Sequence, residues 1–399
     1  MSAPGSSAGW VPLAPGRIGA RAWLDIWQGQ LLIGVAAVLI LLGWLLLTGY
    51  DPDVQGFAQG FDRQGVKIAA AFALGLAVYA VMPWLSRIKK PPLIDGAVVL
   101  AGLTALAVGI YGDDYGKGAP RWVNWGGQSL QPSEFIKLMV VFLMAFYCTW
   151  MQPTIARTGI AKNGEMLLLF GRIGLIALVI LAFLKQSIGI VLILLGTVLG
   201  QLMLAGLTGK RILFLSASVV PAALATLLAY TPGYIDQRLR DWYSGLTGEV
   251  SGYQIDQALM TAYSGWFGTG IGNGVQKYYI PDATSDFMFS VISEELGALG
   301  ACLVLAALLI MSWLILRIGR RAEEHGANFN AYLCYGFGLL FLAQVVLNIG
   351  SNLALFPVNG TILPLISHGG SSLAANVAGL AGVFWVHHQI VKLHRVQNR

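Results

Sequence analysis

The sequence predicts an all-α, polytopic membrane protein, a bundle of about ten transmembrane helices with one long extracytoplasmic loop between the seventh and eighth. Of its 399 residues, 56% are hydrophobic and 11% are charged, and the mean hydropathy is +0.68. Soluble domains contain roughly 25% charged residues, so this chain cannot cover a water-facing surface. The apolar residues also form repeated blocks of about 20, the length that crosses a bilayer.

These blocks place the predicted helices at residues 30–48, 66–85, 93–111, 134–151, 166–184, 188–207, 211–230, 286–316, 329–355 and 371–391. The fourth opens with Gln131-Pro132-Ser133-Glu134, a favourable helix start because proline fits the first turn. The eighth and ninth exceed the roughly 20 residues that span a bilayer, so we expect them to tilt, bend or protrude. We expect residues 1–29 to form an N-terminal segment, 30–391 a single transmembrane domain, and 392–399 a tail.

Lys and Arg mark one side of the predicted bundle. They occur in both termini and in the loops after the second, fourth, sixth and eighth helices, whereas the loop between the ninth and tenth has no charge. Cytoplasmic loops are the ones enriched in Lys and Arg, which also explains the net charge of +6 without a nucleic-acid partner. We therefore expect both termini in the cytoplasm and the loop 231–285 outside, ordered by short helices over the membrane surface.

Three carboxylates lie where the outer loop enters the eighth helix. Asp286 stands at the predicted helix start, and Glu294 and Glu295 follow within the helix. An ionisable residue at membrane depth costs roughly 2.5–3.5 kcal/mol, so it normally faces a cavity or a partner. The alternative is that Ser285 or Asp286 caps the helix. Capping explains an acid at the helix start but not two more beyond it.

Other polar residues are predicted on the same outer side. Arg121 lies in the loop before the fourth helix, where an anion could reach it. Glu134 and Lys137 are three residues apart, so they share one helix face and are equally well explained as a self-neutralising ion pair. The stretch 268–274 is rich in glycine, but it lacks the strand and the Lys-Ser/Thr of a phosphate loop. Lys277 follows it and adds a cation.

The start of the tenth helix is a compact, donor-rich turn. It contains Ser367, His368, Ser371 and Ser372 around two adjacent glycines. His368 has no adjacent acid that would complete a triad, and the serines lack the setting of a nucleophile elbow. We interpret it as a binding or packing turn. The sequence has no zinc motif, dinucleotide fingerprint or nucleic-acid module.

Together these motifs resemble the SEDS family, whose branches are FtsW, RodA and SpoVE. The resemblance rests, in chain order, on Gly118-Ala119-Pro120-Arg121-Trp122, Gln131-Pro132-Ser133-Glu134-Phe135-Ile136-Lys137, Tyr253-Gln254, Gln276-Lys277, Ser285-Asp286-Phe287, Glu294-Glu295-Leu296-Gly297 and Leu363-Pro364-Leu365-Ile366-Ser367-His368-Gly369-Gly370-Ser371-Ser372. It covers most of the chain from the third helix onward. Tyr279-Ile280-Pro281 after Gln276-Lys277 is more similar to the FtsW branch.

The resemblance implies a glycosyltransferase that polymerises lipid II into peptidoglycan strands outside the bacterial cytoplasmic membrane. It implies that Asp286 is the essential aspartate, which we expect to act as general base with a pKa raised above ~4 by partial burial and by nearby carboxylates. It also implies a partner, a class B penicillin-binding protein. No cofactor is certain, and a divalent cation is a candidate for helping to neutralise the leaving diphosphate. The expected substrate-binding or electrostatic residues are Arg121, Glu134, Lys137, Gln276, Lys277, Glu294, Glu295, Ser367, His368, Ser371 and Ser372.

One departure from the family pattern bears on function. Ser187 stands where the family usually has an acid, in Lys185-Gln186-Ser187-Ile188-Gly189. Two alternatives stay open beside the polymerase, and Ser187 favours the second. One is a flippase or transporter of lipid-linked precursors, because buried acids in a helical bundle suit that class as well. The other is an inactive scaffold that recruits the transpeptidase.

Overall fold

The computed structural model describes residues 19–50, 64–88, 91–113, 120–125, 128–156, 163–184, 186–207, 233–247, 253–262 and 265–397. The all-α prediction is confirmed within these ranges. The helices are α1 (Gly19–Thr48), α2 (Gln64–Leu85), α3 (Pro91–Tyr111), α4 (Pro132–Ala156), α5 (Asn163–Ala182), α6 (Ile188–Leu204), α7 (Gly233–Thr247), α8 (Tyr253–Ala262), α9 (Met288–Glu324), α10 (Asn328–Asn352) and α11 (Gly370–Gln397).

Six helices in the described part of the chain are long and apolar enough to cross a membrane. The spans lie in α1, α2, α3, α4, α9 and α10. Two shorter apolar stretches, Gly171–Ala182 in α5 and the whole of α6, correspond to the fifth and sixth predicted helices. The tenth predicted helix forms α11, and the seventh, 211–230, lies outside the described residues. The prediction of a polytopic helical membrane protein is therefore confirmed.

The long loop contains helices, as predicted for its ordered parts. α7 and α8 lie within the stretch 231–285. α7 is fixed to the segment after α10, because the indole nitrogen of Trp242 donates to the carbonyl oxygen of Ala354 at 2.9 Å and Arg238 donates to that of Val358 at 3.1 Å. This part of the loop therefore lies over the end of the central helix α10.

A small hairpin between α3 and α4 was not predicted. Strands β1 (Val123–Trp125) and β2 (Gln128–Leu130) pair antiparallel, with Val123 opposite Leu130. An isolated bridge between Asp113 and Trp122 extends the pairing toward α3. The amide of Arg121 donates to the carbonyl oxygen of Asp113 at 3.1 Å, so this pairing fixes Arg121 near the end of α3.

The eighth predicted helix differs from expectation because it starts later and is broken. α9 begins at Met288, two residues after the predicted start, and Gly297 has φ 71° and ψ −179°. Only glycine adopts that conformation readily, so the helix stops and restarts there. The prediction that this long helix bends or protrudes is confirmed in the form of a break.

The glycine-rich stretch fills that break. The amides of Thr269 and Gly270 donate to the carbonyl oxygens of Glu294 and Glu295, both at 2.9 Å. A Cβ atom on Gly268 would lie 2.2 Å from the carbonyl oxygen of Glu295, so the loop backbone can approach only as glycine. These glycines therefore serve close backbone packing.

α10 is the central helix of the described bundle. It packs against α4, α6 and α9, while α11 runs along α2. Most of its core is aromatic or aliphatic, but Gln344, Asn348 and Asn352 are buried at successive turns of one face. Polar side chains this deep need hydrogen-bond partners. Both asparagines donate to the carbonyl oxygen of Asp286.

Candidate active site

Asp286 belongs to a tight turn that leads into α9. The carbonyl oxygen of Asp282 accepts hydrogen bonds from the amides of Ser285 and Asp286, both at 3.0 Å. Asp282 has φ 58°, in the left-handed region that aspartate tolerates better than most residues. The Asp286 side chain is partly exposed. The sequence thus places a carboxylate on a backbone turn whose shape is closely determined.

The capping interpretation of Asp286 is wrong. Phe287 occupies the N-cap position of α9, and it makes no side-chain capping bond. The helix start is instead satisfied by a side chain from α10, because Asn352 Oδ1 accepts from both the amide and the hydroxyl of Ser290 at 3.0 Å. Asp286 is therefore not needed to cap α9.

Two asparagines of α10 hold the backbone of Asp286. Asn348 Nδ2 and Asn352 Nδ2 each donate to its carbonyl oxygen at 2.9 Å. Asn348 Nδ2 also donates to the carbonyl oxygen of Thr361 at 2.7 Å. One amide nitrogen therefore joins the Asp286 turn to the segment that follows α10.

The turn before α11 contacts the Asp286 turn directly. The amide of His368 donates to the carbonyl oxygen of Thr284 at 2.8 Å. The ring of His368 lies 2.8 Å from the ammonium of Lys67 on α2. Ser367 has a local role, because its buried hydroxyl accepts from the amide of Leu363 at 3.2 Å.

The predicted motifs at the starts of α4 and α11 also meet. The hydroxyl of Ser371 accepts from the amide of Gln131 at 3.1 Å. Ser372 is buried and bonds to Asn376 on its own helix at 3.3 Å. Glu134 and Lys137 pair at 2.8 Å with both side chains 5% exposed. The interpretation of this last pair as a self-neutralising ion pair is confirmed.

Arg121 reaches the same region from the hairpin side. Its Nε donates to the carbonyl oxygen of Gln186 at 2.5 Å. A Cβ on Gly360 would lie 2.5 Å from Nη1 of Arg121, so the guanidinium packs directly on that backbone. Gly360 precedes Thr361, whose carbonyl oxygen shares the Asn348 amide with Asp286. Arg121 and Asp286 thus belong to one connected region.

The structure contradicts the predicted role of Lys277 as an accessible cation. Its side chain is fully buried, and Nζ bonds to Glu295 Oε1 at 2.5 Å and to the carbonyl oxygen of Gly49 at 2.9 Å. Glu294 is also committed to the loop, because its carboxylate accepts from the amides of Gln276 and Lys277 at 2.7 and 3.0 Å. Three of the predicted electrostatic residues therefore fix the glycine-rich loop to the break in α9.

The predicted divalent cation has no ready ligand set here. Across the residues that the structure describes, no group of three or more His, Cys, Asp or Glu side chains could hold a metal ion. The carboxylates of Glu294 and Glu295 are paired with backbone amides and with Lys277 instead. They do not fit the role of metal ligands in this arrangement.

Three residues of the site were not predicted. Asn348 and Asn352 hold Asp286, and Lys67 lies against His368. A signal for the asparagines was present in the sequence, since two polar residues four apart in an apolar helix share a face and are costly in a membrane. Lys67 has no such signal, because a lysine near a helix end is ordinary at a membrane surface.

Comparison with known proteins gives this arrangement its context. The family model for cell cycle proteins of the FtsW/RodA/SpoVE type matches residues 29–392. A probable peptidoglycan glycosyltransferase FtsW of Halomonas elongata is 34% identical over 87% of this chain and 86% of that protein. Another, of Alcanivorax borkumensis, is 34% identical over 86% of this chain and 88% of that protein.

Solved structures share the fold. A chain from the work on structural coordination of polymerization and crosslinking by a peptidoglycan synthase complex has a TM-score of 0.61 at 23% identity, covering 90% of this chain and 97% of that one. The rod shape determining protein RodA of Thermus thermophilus has a TM-score of 0.57 at 23% identity, covering 90% and 96%. This chain is therefore an integral inner-membrane protein and belongs to the FtsW/RodA/SpoVE family of cell cycle proteins.

Proposed function

We propose that this chain is a peptidoglycan glycosyltransferase that polymerises lipid II at the outer face of the inner membrane, with Asp286 as the general base. The observation that carries the proposal is the placement of Asp286. Its turn is held by two buried amides of α10 and by the turn before α11. The curated relatives are named as probable peptidoglycan glycosyltransferases FtsW, which supports the same reaction.

The proposed reaction is a glycosyl transfer between two lipid-linked sugars, in which lipid II is the acceptor and the growing strand is the donor. The 4-hydroxyl oxygen of the acceptor lipid II attacks the anomeric carbon of the growing strand. The new carbon–oxygen bond forms as the bond to the diphosphate breaks, and undecaprenyl diphosphate leaves with that electron pair. The hydroxyl proton passes to the Asp286 carboxylate, which must lie within hydrogen-bond reach of it.

The leaving diphosphate needs positive charge, and the described residues differ in how well they supply it. Arg121 is the strongest candidate, because its planar guanidinium suits phosphate oxygens and the residue is only partly buried. Lys137 is largely neutralised by Glu134, and Lys277 is enclosed. Lys67, beside His368, is a better second candidate than either. No step is assigned to a metal ion.

The remaining predictions complete the proposal. We place both termini in the cytoplasm and treat residues 30–391 as one transmembrane domain. We propose that a class B penicillin-binding protein is the partner that crosslinks the strands, which is consistent with the fold shared with a chain of a peptidoglycan synthase complex. Division and elongation both use this chemistry, and the similarity to FtsW proteins favours division.

The test is polymerisation by the purified protein in proteoliposomes that contain labelled lipid II, with and without the partner transpeptidase. Asp286→Ala should lower the rate of glycan synthesis by about 10²–10⁴-fold, the usual contribution of a general base. The matched control is Asp236→Ala, which removes an exposed carboxylate from the same outer loop. We expect the control to stay within twofold of the wild-type rate, because exposed ion pairs contribute little.

Gel analysis of the glycan products separates the alternatives. If Asp286→Ala forms chains at the normal rate, the assignment of the base is wrong. If the wild type forms none, even with its partner, the polymerase proposal is wrong, and a lipid-translocation assay in the same vesicles distinguishes a flippase from an inactive scaffold. A flippase moves lipid II between leaflets without new glycosidic bonds, whereas a scaffold does neither.

A further inference from the structure

We propose that Asn348 and Asn352 are positioning residues that set the location of the Asp286 carboxylate by holding its backbone carbonyl. The inference rests on the proposed function, since it explains how the proposed base is aimed. It assigns a role to two α10 side chains that contact the backbone of the proposed base.

The first support is convergence on a single atom. Both amide nitrogens donate to the carbonyl oxygen of Asp286, each at 2.9 Å. The two donors lie one turn apart on the same helix, so they restrain this oxygen along two directions. The carboxylate is attached to the same residue, so any shift of this carbonyl moves the carboxylate with it.

The second support is that each asparagine ties the turn to something else. Asn352 Oδ1 accepts from the amide and hydroxyl of Ser290 at 3.0 Å, so the same side chain holds Asp286 and the first turn of α9. Asn348 Nδ2 also bonds to the carbonyl oxygen of Thr361, on the segment against which Arg121 packs. The proposed base and the segment that supports the candidate phosphate-binding arginine are therefore both held by α10.

The third support is the state of the Asn348 amide. The residue is fully buried, and within the described residues its Oδ1 has no hydrogen-bond partner. The orientation of the amide is set by chemistry, since both neighbours of Nδ2 are carbonyl oxygens and only nitrogen can donate to them. A buried oxygen left without a donor costs folding free energy, so what this side chain contributes to the structure is the pair of hydrogen bonds from Nδ2.

The simplest competing explanation is that the asparagines only stabilise α9 and α10. The two roles predict different kinetics. A loss of packing lowers the amount of folded protein and leaves each surviving molecule active. A displaced base lowers kcat with little change in KM, because the substrate still binds. A displacement of about 1 Å costs on the order of 10²-fold in rate.

The experiment uses the full-length protein with Asn348→Leu and Asn352→Leu, which keep the branched arrangement of side-chain heavy atoms and remove the donors. The matched control is Gln344→Met, one turn earlier on the same helix, where an equally buried amide is removed away from Asp286. Polymerisation of labelled lipid II gives kcat and KM, and thermal unfolding in detergent gives the stability of each variant. We expect kcat to fall about 10–100-fold in each asparagine variant, with KM within threefold and with unfolding temperatures close to that of Gln344→Met.

A second background separates positioning from folding. Asp286→Glu lengthens the side chain, so its carboxylate is already displaced, and there each asparagine substitution should cost less than threefold. The inference is overturned if the asparagine variants keep normal kcat, if their loss appears in KM, or if the factor is the same in both backgrounds. It fails separately from the proposed function, because that proposal is tested by the wild type and by Asp286→Ala, without either asparagine variant.

Discussion

At the scale of single residues, the Lys277–Glu295 pair shows how a charge near the site is used for structure. Nζ and Oε1 are 2.5 Å apart with both side chains fully buried, and the ring of Tyr50 lies 4.5 Å from the ammonium. Burial, and then the charge of Glu295, raise the pKa of the Tyr50 hydroxyl, so this residue remains neutral beside the pair. The cluster joins the end of α1 to the broken helix α9.

Removal of one partner from this pair should destabilise the protein strongly. Lys277→Met leaves the Glu295 carboxylate buried without its cation, and such losses cost about 3–5 kcal/mol. The double variant Lys277→Met/Glu295→Leu should recover most of that loss, because no unpaired charge remains. Chemical unfolding in detergent measures both effects. Arg240→Met, in an exposed pair with Asp236, is the control and should leave the stability almost unchanged.

An unchanged stability of Lys277→Met would contradict this interpretation and would return Lys277 to the list of candidate substrate ligands. A double variant as unstable as the single one would show that shape, rather than charge, is what the site requires. Both outcomes are readable without any activity measurement, so they do not depend on the proposed reaction.

Ser187 is the other residue whose meaning depends on its surroundings. Its hydroxyl donates to the carbonyl oxygen of Asn359 at 2.9 Å, and the side chain is fully buried. Arg121 meets this segment through the backbone oxygen of Gln186, a contact that does not depend on the side chain at position 187. The departure from the family pattern therefore leaves the link between Arg121 and this segment in place.

At the scale of elements, the break in α9 and the glycine-rich loop form one unit. The carbonyl groups of Glu294 and Glu295, which lose their helical partners at the break, accept from the loop amides. On the other side, the amides of Ala298 and Leu299 donate to Gly265 and Trp266 at 2.9 and 3.3 Å. Backbone groups that would be orphaned in an apolar environment are thereby satisfied, which is what permits a break in a membrane helix.

This arrangement predicts that Gly297→Ala is severely destabilising. A Cβ atom there would lie 2.4 Å from the carbonyl oxygen of Trp266, and the backbone has φ 71°. The strained conformation alone costs about 1–3 kcal/mol for a residue other than glycine, and the close contact adds to it. Thermal unfolding and the yield of monodisperse protein in detergent measure the effect.

The control is Gly196→Ala in α6, where no atom lies within 4 Å of the added Cβ. Alanine is the better helix former by roughly 1 kcal/mol, so this variant should be as stable as the wild type or more so. Equal stability of the two variants would show that the break tolerates a side chain and that the loop is not closely fitted to it.

At the scale of the whole molecule, the sequence was informative about membrane crossing and much less so about breaks and partners. Apolar blocks predicted the helices because burial in lipid acts on every residue of a block in the same way. A bend in this long helix was expected, but its position at Gly297 was not predicted, since Leu296 and Ala298 continue the apolar run. It depends on a loop distant in sequence, which hydropathy does not register.

For the site residues too, the sequence indicated which residues take part but not which partners they contact. Charge and motif placed Asp286 and Arg121 in one region, but they did not reveal that Lys277 is enclosed by Glu295 and Gly49. Whether a charged side chain is buried depends on its neighbours in three dimensions. The charge of the residue, read from the sequence, does not identify those neighbours. For the same reason the hydrogen bonds from α10 to Asp286 could be suspected from buried amides and located only in the structure.

The distribution of charge among the loops predicts the sidedness of the molecule, and this leads to a labelling prediction. α7 carries Tyr243, 65% exposed, on the loop predicted to face outward, and Arg320, with a side chain 77% exposed, lies near the predicted cytoplasmic end of α9. Of the native cysteines, Cys148 and Cys334 are buried and Cys302 is exposed. The variant Cys302→Ala therefore provides a background without an exposed native thiol. There, a membrane-impermeant maleimide should label Tyr243→Cys in intact cells and Arg320→Cys only after permeabilisation.

The two positions act as controls for each other. Labelling of Arg320→Cys after permeabilisation shows that the thiol is reactive, so its protection in intact cells reports the membrane rather than burial. Opposite protection of the two sites would mean that the termini face outward. Asp286 would then lie on the cytoplasmic side, where the growing glycan strand is not found, and the proposed polymerisation would be impossible. The proposed role of the Asp286 carboxylate therefore depends on the orientation of the whole molecule in the membrane.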